Sequence, residues 1–268
     1  MKYEVVPPPP SLARFVRFFW VMESEASRDK PFIYRAMADG CAELIFHYRG
    51  RFVELTPHGS FDQSYGLIHS QTRRMRRFIT HQNFGIFGVY LYPYALNQLC
   101  AMPSSVLSDE MPDLTTLWGG EGIELTEKMM LAENNPARMT LIISFLDKKL
   151  NARDHFLPPA TNAIQYLIHR QGNVKVTDLA QQYCLSMRQF ERNFKLFSGF
   201  SPKLYARIIR FQAACQQYGR KDLSLTEIGL ACGYYDQSHF IHDFKEFSGY
   251  HPGTYFSGKA EGTEYRDV

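Results

Sequence analysis

The C-terminal third of the chain repeats itself at an offset of fifty residues. Phe190, Phe194, Lys195, Phe197, Ser198, Gly199, Pro202 and Tyr205 recur as Phe240, Phe244, Lys245, Phe247, Ser248, Gly249, Pro252 and Tyr255, eight identities in sixteen aligned positions. Self-similarity at such a spacing marks one supersecondary unit used twice. Any fold for this chain must therefore accommodate two like units, and the period inside each is helical.

Each unit reads as a helix-turn-helix. In the first, Thr177 is placed to cap a helix whose Leu179, Ala180 and Tyr183 face inward. Ser186, with Gln189 three residues on, predicts a capping box for the next helix. Phe190, Phe194 and Phe197 stand at i, i+4 and i+7 and should bury together. Arg188, Arg192 and Lys195 then point away from the core, with Glu191 beside them. Two arginines on an exposed helix face suit the major groove, because Arg pairs bidentately with guanine. The second unit has Ser224 and Glu227 as its capping box, Gly233 at the left-handed turn position and Asp236 as the next cap. Behind the Phe240, Phe244 and Phe247 stripe, its outward face carries Ser238, His242 and Lys245, with Gln237 and His239 at its N-terminal edge. His239 and His242 are three apart with no third ligand nearby, so no metal is expected there. Between the units, Leu204, Ile208, Phe211 and Cys215 form one helical stripe and Lys203, Arg207 and Arg210 another. A helix of about eighteen residues would be about 27 Å long. That length suits a spacer between two reading helices about one DNA turn, ~34 Å, apart.

Charge follows the repeat. Residues 158–257 carry eleven Lys and Arg against seven Asp and Glu, whereas residues 1–157 carry seventeen of each. The excess sits where a polyanion partner would bind. The five cysteines, Cys41, Cys100, Cys184, Cys215 and Cys232, are odd in number and form no C-x-x-C pair. They read as buried thiols in a reducing compartment, without disulfide or zinc framework. The start MKYEVVPPPP has no apolar core of a signal peptide, and no stretch approaches a membrane span. A cytoplasmic protein with no membrane association is expected.

The N-terminal part has a different period. After Pro7 to Pro10, Ser11 is placed to cap a short helix over LARFV, and FFWVMES reads extended. FIYRAM, AELIFHY, FVEL, SYGLIHS and FGIFGVYLY are β-rich runs separated by turn residues. Leu44, Phe46 and Tyr48 alternate with Glu43, Ile45 and His47, as for a strand with one buried face. After Pro93 the pattern turns helical, over 94–101, 123–133 and from Pro136 onward, where Leu141, Phe145, Leu146 and Leu150 form a stripe. The Pro158-Pro159 pair is the expected domain boundary. The expected architecture is α+β: an antiparallel β-barrel over 11–92, helices over 94–150, an all-α domain with two helix-turn-helix units over 158–257, and a flexible tail over 258–268.

The runs LAQQYCLSMRQFERNFK and IGLACGYYDQSHFIHDFKEFSGYHPGTY resemble the AraC/XylS family of transcription regulators over residues 158–257. The resemblance implies a seven-helix domain that reads double-stranded DNA. By position it implies base contacts from Arg188, Glu191 and Arg192 in the first unit and from Gln237, Ser238, His239 and His242 in the second. Lys195, Lys203, Arg207, Arg210 and Lys245 would then lie along the DNA backbone, and RNA polymerase would be a partner. Two departures stand out: Cys184 where the first turn often has Gly, and Gly229 where the second unit usually has Ala, which predicts a looser contact between its helices. The stretch MADGCAELIFHY, with Trp20 and GVYLYPYALNQL, resembles a cupin-like sensory domain of such regulators. That implies a small-molecule effector, for which Trp20, Tyr34, His47 and Tyr90 are candidate contacts, and a homodimer built on the helices at 123–150.

The alternative is a cupin-like, metal-dependent enzyme joined to a DNA-binding module. It lacks a local H-x-H motif, since His47, His58, His69 and His81 are scattered, and there is no Walker loop, G-x-S-x-G or dinucleotide fingerprint. Neither cofactor nor metal is therefore expected. Arg73, Arg74, Arg76 and Arg77, in QTRRMRRF, read as a loop between strands. It would be solvated, or an acidic-ligand entrance, a domain contact or an accessory phosphate contact.

Overall fold

The computed structural model describes residues 1–151, 158–220 and 222–262. Its first part is β1 (Lys2–Val6), β2 (Val16–Ser24), β3 (Phe32–Ala36), β4 (Ala42–Arg49), β5 (Val53–Thr56), β6 (Gly59–Asp62), β7 (Gly66–His69), β8 (Arg76–Thr80) and β9 (Phe84–Leu91). They form two antiparallel sheets, ordered β1-β2-β9-β4-β7 and β3-β8-β5-β6. Aromatic residues of both sheets, among them Trp20, Phe78 and Phe84, pack together between them with Phe52 from the loop before β5. Gly88 makes room for this layer: a Cβ there would come within 2.0 Å of the Trp20 ring.

Four expectations change here. The one-faced alternation on β4 does not describe its environment, because Leu44 and Phe46 are buried toward the helices while Ile45 and His47 are buried too. The sheet is thus covered on both sides. Residues 11–15 form hydrogen-bonded turns (Phe15 N to Leu12 O, 2.9 Å) rather than a helix capped by Ser11. The chain before the prolines is a strand, paired from Lys2↔Glu23 to Val6↔Phe19. And half of the arginine-rich segment is strand β8, paired with β3 so that Arg77 stands opposite Arg35.

Helices α1 (Ala95–Leu99), α2 (Ser104–Leu107), α3 (Leu114–Trp118), α4 (Gly120–Leu131) and α5 (Asn135–Asn151) follow. On α5 the fully buried residues are Ile142, Leu146 and Leu150, with Leu141 and Phe145 half-buried beside them. Then come α6 (Pro159–His169), α7 (Val176–Gln182), α8 (Met187–Ser198), α9 (Pro202–Cys215), α10 (Leu225–Ala231), α11 (Gln237–Ser248) and α12 (Pro252–Phe256). The expected tail is partly ordered, since residues 258–262 fold back on the barrel; residues 263–268 lie outside the described residues. Buried side chains from the barrel (Phe19, Leu44, Val89), the intervening helices (Leu96, Leu146) and the repeat (Phe194, Tyr205, Phe211) form one continuous cluster. The barrel and the repeated units therefore share a core.

Candidate nucleic-acid interface

In the first unit α7 and α8 meet through a turn at Cys184, which adopts φ 53°. A left-handed conformation without glycine is strained. The turn is held by Cys184 N donating to Gln181 O (3.0 Å) and Leu185 N to Ala180 O (3.1 Å). The second unit repeats both bonds with Gly233 (φ 82°) and Tyr234. It then inserts Tyr235, which is 89% exposed at the entrance to α11. Counting along the chain reveals this insertion: the turn residues are offset by forty-nine and the helices after them by fifty. Sequence reasoning passed it over.

The caps on the second helix of each unit are as expected. Ser186 and Gln189 form a capping box on α8, and Asp236 caps α11 through His239 N (2.8 Å). That backbone hydrogen bond holds the Asp236 carboxyl below its ordinary range. Ser224 and Glu227 box α10, whereas α7 starts at Lys175 with no side-chain cap, so Thr177 does not cap it. Nor is the α10–α11 contact loose. A Cβ on Gly229 would lie 3.2 Å from Phe240, so the missing methyl lets the helices approach.

Phe190, Phe194, Phe240, Phe244 and Phe247 are buried, and Phe197 is half-buried. Opposite them, Arg188, Glu191, Arg192 and Lys195 on α8 and Gln237, Ser238, His239, His242 and Lys245 on α11 are all exposed. Lys203, at the start of α9, is exposed as well. The other two cations of α9 are engaged within the protein. Arg207 pairs with Asp243 (2.7 Å) and Glu246 (2.5 Å) of α11 and lies over the Phe247 ring at 5.1 Å. Arg210 lies over Tyr234 at 5.5 Å. The spacer helix ends at Cys215, making it about 21 Å long rather than about 27 Å. His242, Asp243 and Glu246 are close enough to share a cation, but Arg207 already bridges both carboxylates.

Both second helices lean on the N-terminal part at their C-terminal ends. Asn97 donates to Leu196 O at 3.1 Å beside the end of α8. Ala38 N donates to Phe247 O at 3.0 Å beside the end of α11. Arg35 lies over Tyr250 at 4.2 Å. Arg35 and Arg77, a like-charged cross-strand pair, both donate to Glu261, at 3.2 and 2.8 Å. Like charges opposite one another on a sheet repel, and Glu261 neutralises them. Arg76 pairs with Glu54 (3.0 Å) and Arg73 with Asp109 (3.0 Å). Arg73, Arg76 and Arg77 thus make contacts within the N-terminal part and with the C-terminal segment.

The four candidate effector contacts divide between two spaces. Trp20, Tyr34 and His47 border a cavity of about 30 Å³ between the sheets, room for about one water. Tyr34 also borders, with Tyr90, a cleft of about 410 Å³ between the barrel mouth and α9. Arg17, Asp39, Glu43 and His69 share that cleft, and sequence reasoning named none of them as ligand contacts. Asp39 accepts from Tyr90 Oη and from Cys41 N, both at 2.7 Å. Burial raises its pKa, and burial together with the Asp39 charge pushes Glu43 up to about 8. Burial lowers His47 and His69 to about 4, so both are neutral imidazoles at neutral pH. His58 and His81 are exposed, so the fold does not gather the four histidines.

Residues 179–258 match a helix-turn-helix domain family, and residues 4–113 match a domain family of unknown function. The HTH-type transcriptional regulator ArgR of Pseudomonas aeruginosa is 35% identical over 96 residues, 35% of this chain and 29% of the relative. The HTH-type transcriptional activator RhaS of Klebsiella pneumoniae is 29% identical over 119 residues, 43% of this chain and 36% of the relative. The chain spans about a third of the length of these curated relatives. Among solved structures, ToxT from Vibrio cholerae aligns with a TM-score of 0.48 at 12% identity, over 89% of this chain and 98% of that one. No helix among the described residues is long and apolar enough to cross a membrane.

Proposed function

From its repeated helix-turn-helix units and its likeness to HTH-type regulators, we propose that the chain is a member of the AraC/XylS family and a sequence-specific DNA-binding regulator controlled by a small molecule bound in its N-terminal domain. One observation carries the reading: two helices of the same build, α8 and α11, bury a phenylalanine stripe and expose a polar face, and α9 joins them. Arg188, Glu191 and Arg192 read one set of base edges, and Gln237, Ser238, His239 and His242 another. Lys195, Lys203 and Lys245 contact phosphates, and exposed Tyr235 is available beside them. Arg207 and Arg210 take a different part, because each is held inside the protein. Arg207 fixes α9 to α11, and so sets the angle between the two reading helices.

The protein works in the cytoplasm and meets RNA polymerase when bound near a promoter. It binds as a homodimer through the region of α4 and α5, where Ile123 (45%) and Leu131 (83%) are exposed apolar residues. Two-fold pairing would place two chains on paired sites and strengthen binding without new contacts. Sedimentation of the full chain at micromolar concentration with operator DNA checks this: a strict monomer would remove the dimer.

DNA binding itself is tested by selecting genomic fragments with the full-length protein and titrating salt. Affinity should fall steeply as salt rises, because neutralised phosphates release counterions. A protein that retains no fragment in a salt-sensitive way is not a DNA-binding regulator.

A further inference from the structure

The cleft between the barrel and α9 carries its own chemical signature. Its volume, about 410 Å³, falls in the range of small-molecule sites. Among the described residues, two carboxylates, Asp39 and Glu43, line it against one guanidinium, that of Arg17. Arg17 acts on the Asp39 charge, donates to Cys41 Sγ at 3.4 Å and lies over the rings of Tyr90 at 5.2 Å and Tyr92 at 5.9 Å, which leaves one carboxylate of the pair without a cation of its own among the described residues. Asp39 is fixed in place by Tyr90 and Cys41, and Glu43 meets the repulsion of Asp39 with the Trp20 indole as its hydrogen-bond partner. His69, which lines both this cleft and the smaller cavity, is 8% exposed, and among the described residues its Nε2 has no hydrogen-bond partner. A buried polar atom without a partner costs free energy unless something in an adjoining space meets it. α9 closes the far side with Ile209 and Gln212, which carry no charge.

We propose that this cleft binds a small organic cation, an amine or amidine on a compact apolar body, with Asp39 and Glu43 as its counter-charges and the rings of Tyr34 and Tyr90 as its walls. Aromatic faces attract cations, and a second positive charge relieves the repulsion between the two carboxylates. His69 Nε2 then pairs with the ligand's polar end. Without a cation, Glu43 holds a proton at neutral pH, since burial and Asp39 push it up to about 8. Cation binding therefore displaces that proton. The groups around Glu43 are Asp39 and Trp20, with Arg17, Cys41, Tyr90 and His69 lining the same cleft; α9 presents only neutral side chains to it.

Occupancy has a short route to the helix that joins the two reading units. Gln212 Nε2 lies 3.4 Å from Tyr90 Oη, and Gly40 sits so close to α9 that a Cβ there would come within 2.8 Å of Ile209. A ligand against Tyr90 and Gln212 bears directly on α9. This step to DNA rests on the regulator reading; binding in the cleft does not.

Calorimetry on the full chain tests the assignment, with benzamidine and agmatine as probes and benzyl alcohol and benzoate as neutral and anionic controls. At least one cation should bind about tenfold or more tighter than both controls, and its affinity should rise about tenfold between about pH 6.5 and about pH 8.5 as Glu43 ionises. Glu43→Gln, which preserves shape, should melt as a folded protein, lose that pH dependence and bind the cation about tenfold more weakly. Binding of neither cation, equal binding of benzyl alcohol, or unchanged binding by Glu43→Gln would overturn the assignment. DNA affinity is measured in parallel with and without the bound cation. It should change, and Gln212→Ala should bind the cation yet lose the change. Cation binding that leaves DNA affinity untouched removes the coupling alone, and absent DNA binding defeats the regulator reading while the cleft stands on calorimetry.

Discussion

Three titratable residues of the barrel interior contribute to how the protein responds to pH. His47 and His69 are lowered by burial from 6.5 to about 4, so the unfolded chain binds more protons in that interval. Their contribution to stability is present above 6.5 and lost as pH falls toward 4. Glu43 runs the other way. Its folded pKa is raised from 4.5 to about 8, so its contribution is present below 4.5 and lost as pH rises through 8. Thermal melts should peak between about pH 5 and pH 7, and Glu43→Gln should flatten only the alkaline side. Melts of the variant that still fall as steeply from neutral to alkaline pH would show that another group governs that limb. Cys184 offers a second residue-scale check. Its φ of 53° is strained for any residue with a Cβ, and Cys184→Gly should stabilise the first unit by about 0.5–1 kcal/mol, read from a denaturant midpoint. The departure at Cys184 was visible against the family pattern, because glycine is the residue such a turn favours. Asp39, Glu43 and His69 gave no such signal. Asp39 and Glu43 are four residues apart, but His69 joins them only when β4 pairs with β7.

At the scale of elements, the two helix-turn-helix units differ in how they are held. In α8 and α11 the caps are side chains three residues from their partners, so they were legible in sequence. Ser186→Ala and Ser224→Ala should each cost about 1 kcal/mol; melts within error of the parent would mean that the boxes add nothing to packing. The cations of α9 divide by partner. Arg192→Ala on exposed α8 should cost about 1–3 kcal/mol of DNA binding and relax preference at one base position. Arg207→Ala should instead leave Asp243 without its cation and separate α9 from α11. Expected is a loss of stability together with weaker binding to every sequence, measured by melting and by binding to randomised fragments. Equal, sequence-selective losses from both substitutions would refute this division. Helical periodicity placed Arg207 on a polar stripe, but nothing local distinguishes a cation facing phosphate from one facing a carboxylate thirty-six residues away.

Across the whole molecule, the reading units are joined to the barrel rather than strung from it. The core is continuous from Phe19 and Leu44 to Phe194 and Tyr205, and Glu261 lies between Arg35 and Arg77. Glu261→Gln would leave two guanidinium groups opposed across β3 and β8 with a weaker acceptor. The expected outcome is faster backbone amide exchange in β3, β8 and the segment after α12, with α7 and α8 unchanged. Uniform exchange across the chain after the substitution would show that this contact does not hold the second unit against the barrel.

Sequence alone determined the repeat, its helical period, the phenylalanine stripes, three of the five expected caps and the strand-rich character of residues 16–91. Each depends on neighbours within one turn or one strand, where side-chain spacing is set by backbone geometry. Tertiary structure decided the rest. β1 and β8 carry little apolar alternation and exist because β2 and β3 offer them a hydrogen-bonding edge. Both faces of β4 are buried because helices cover what an isolated sheet would leave to water. The partners of Arg207, Glu43 and Glu261 were set by which distant chains the shared core brings together, since an unpaired charge half-buried in that core must meet its counter-charge wherever the packing places one.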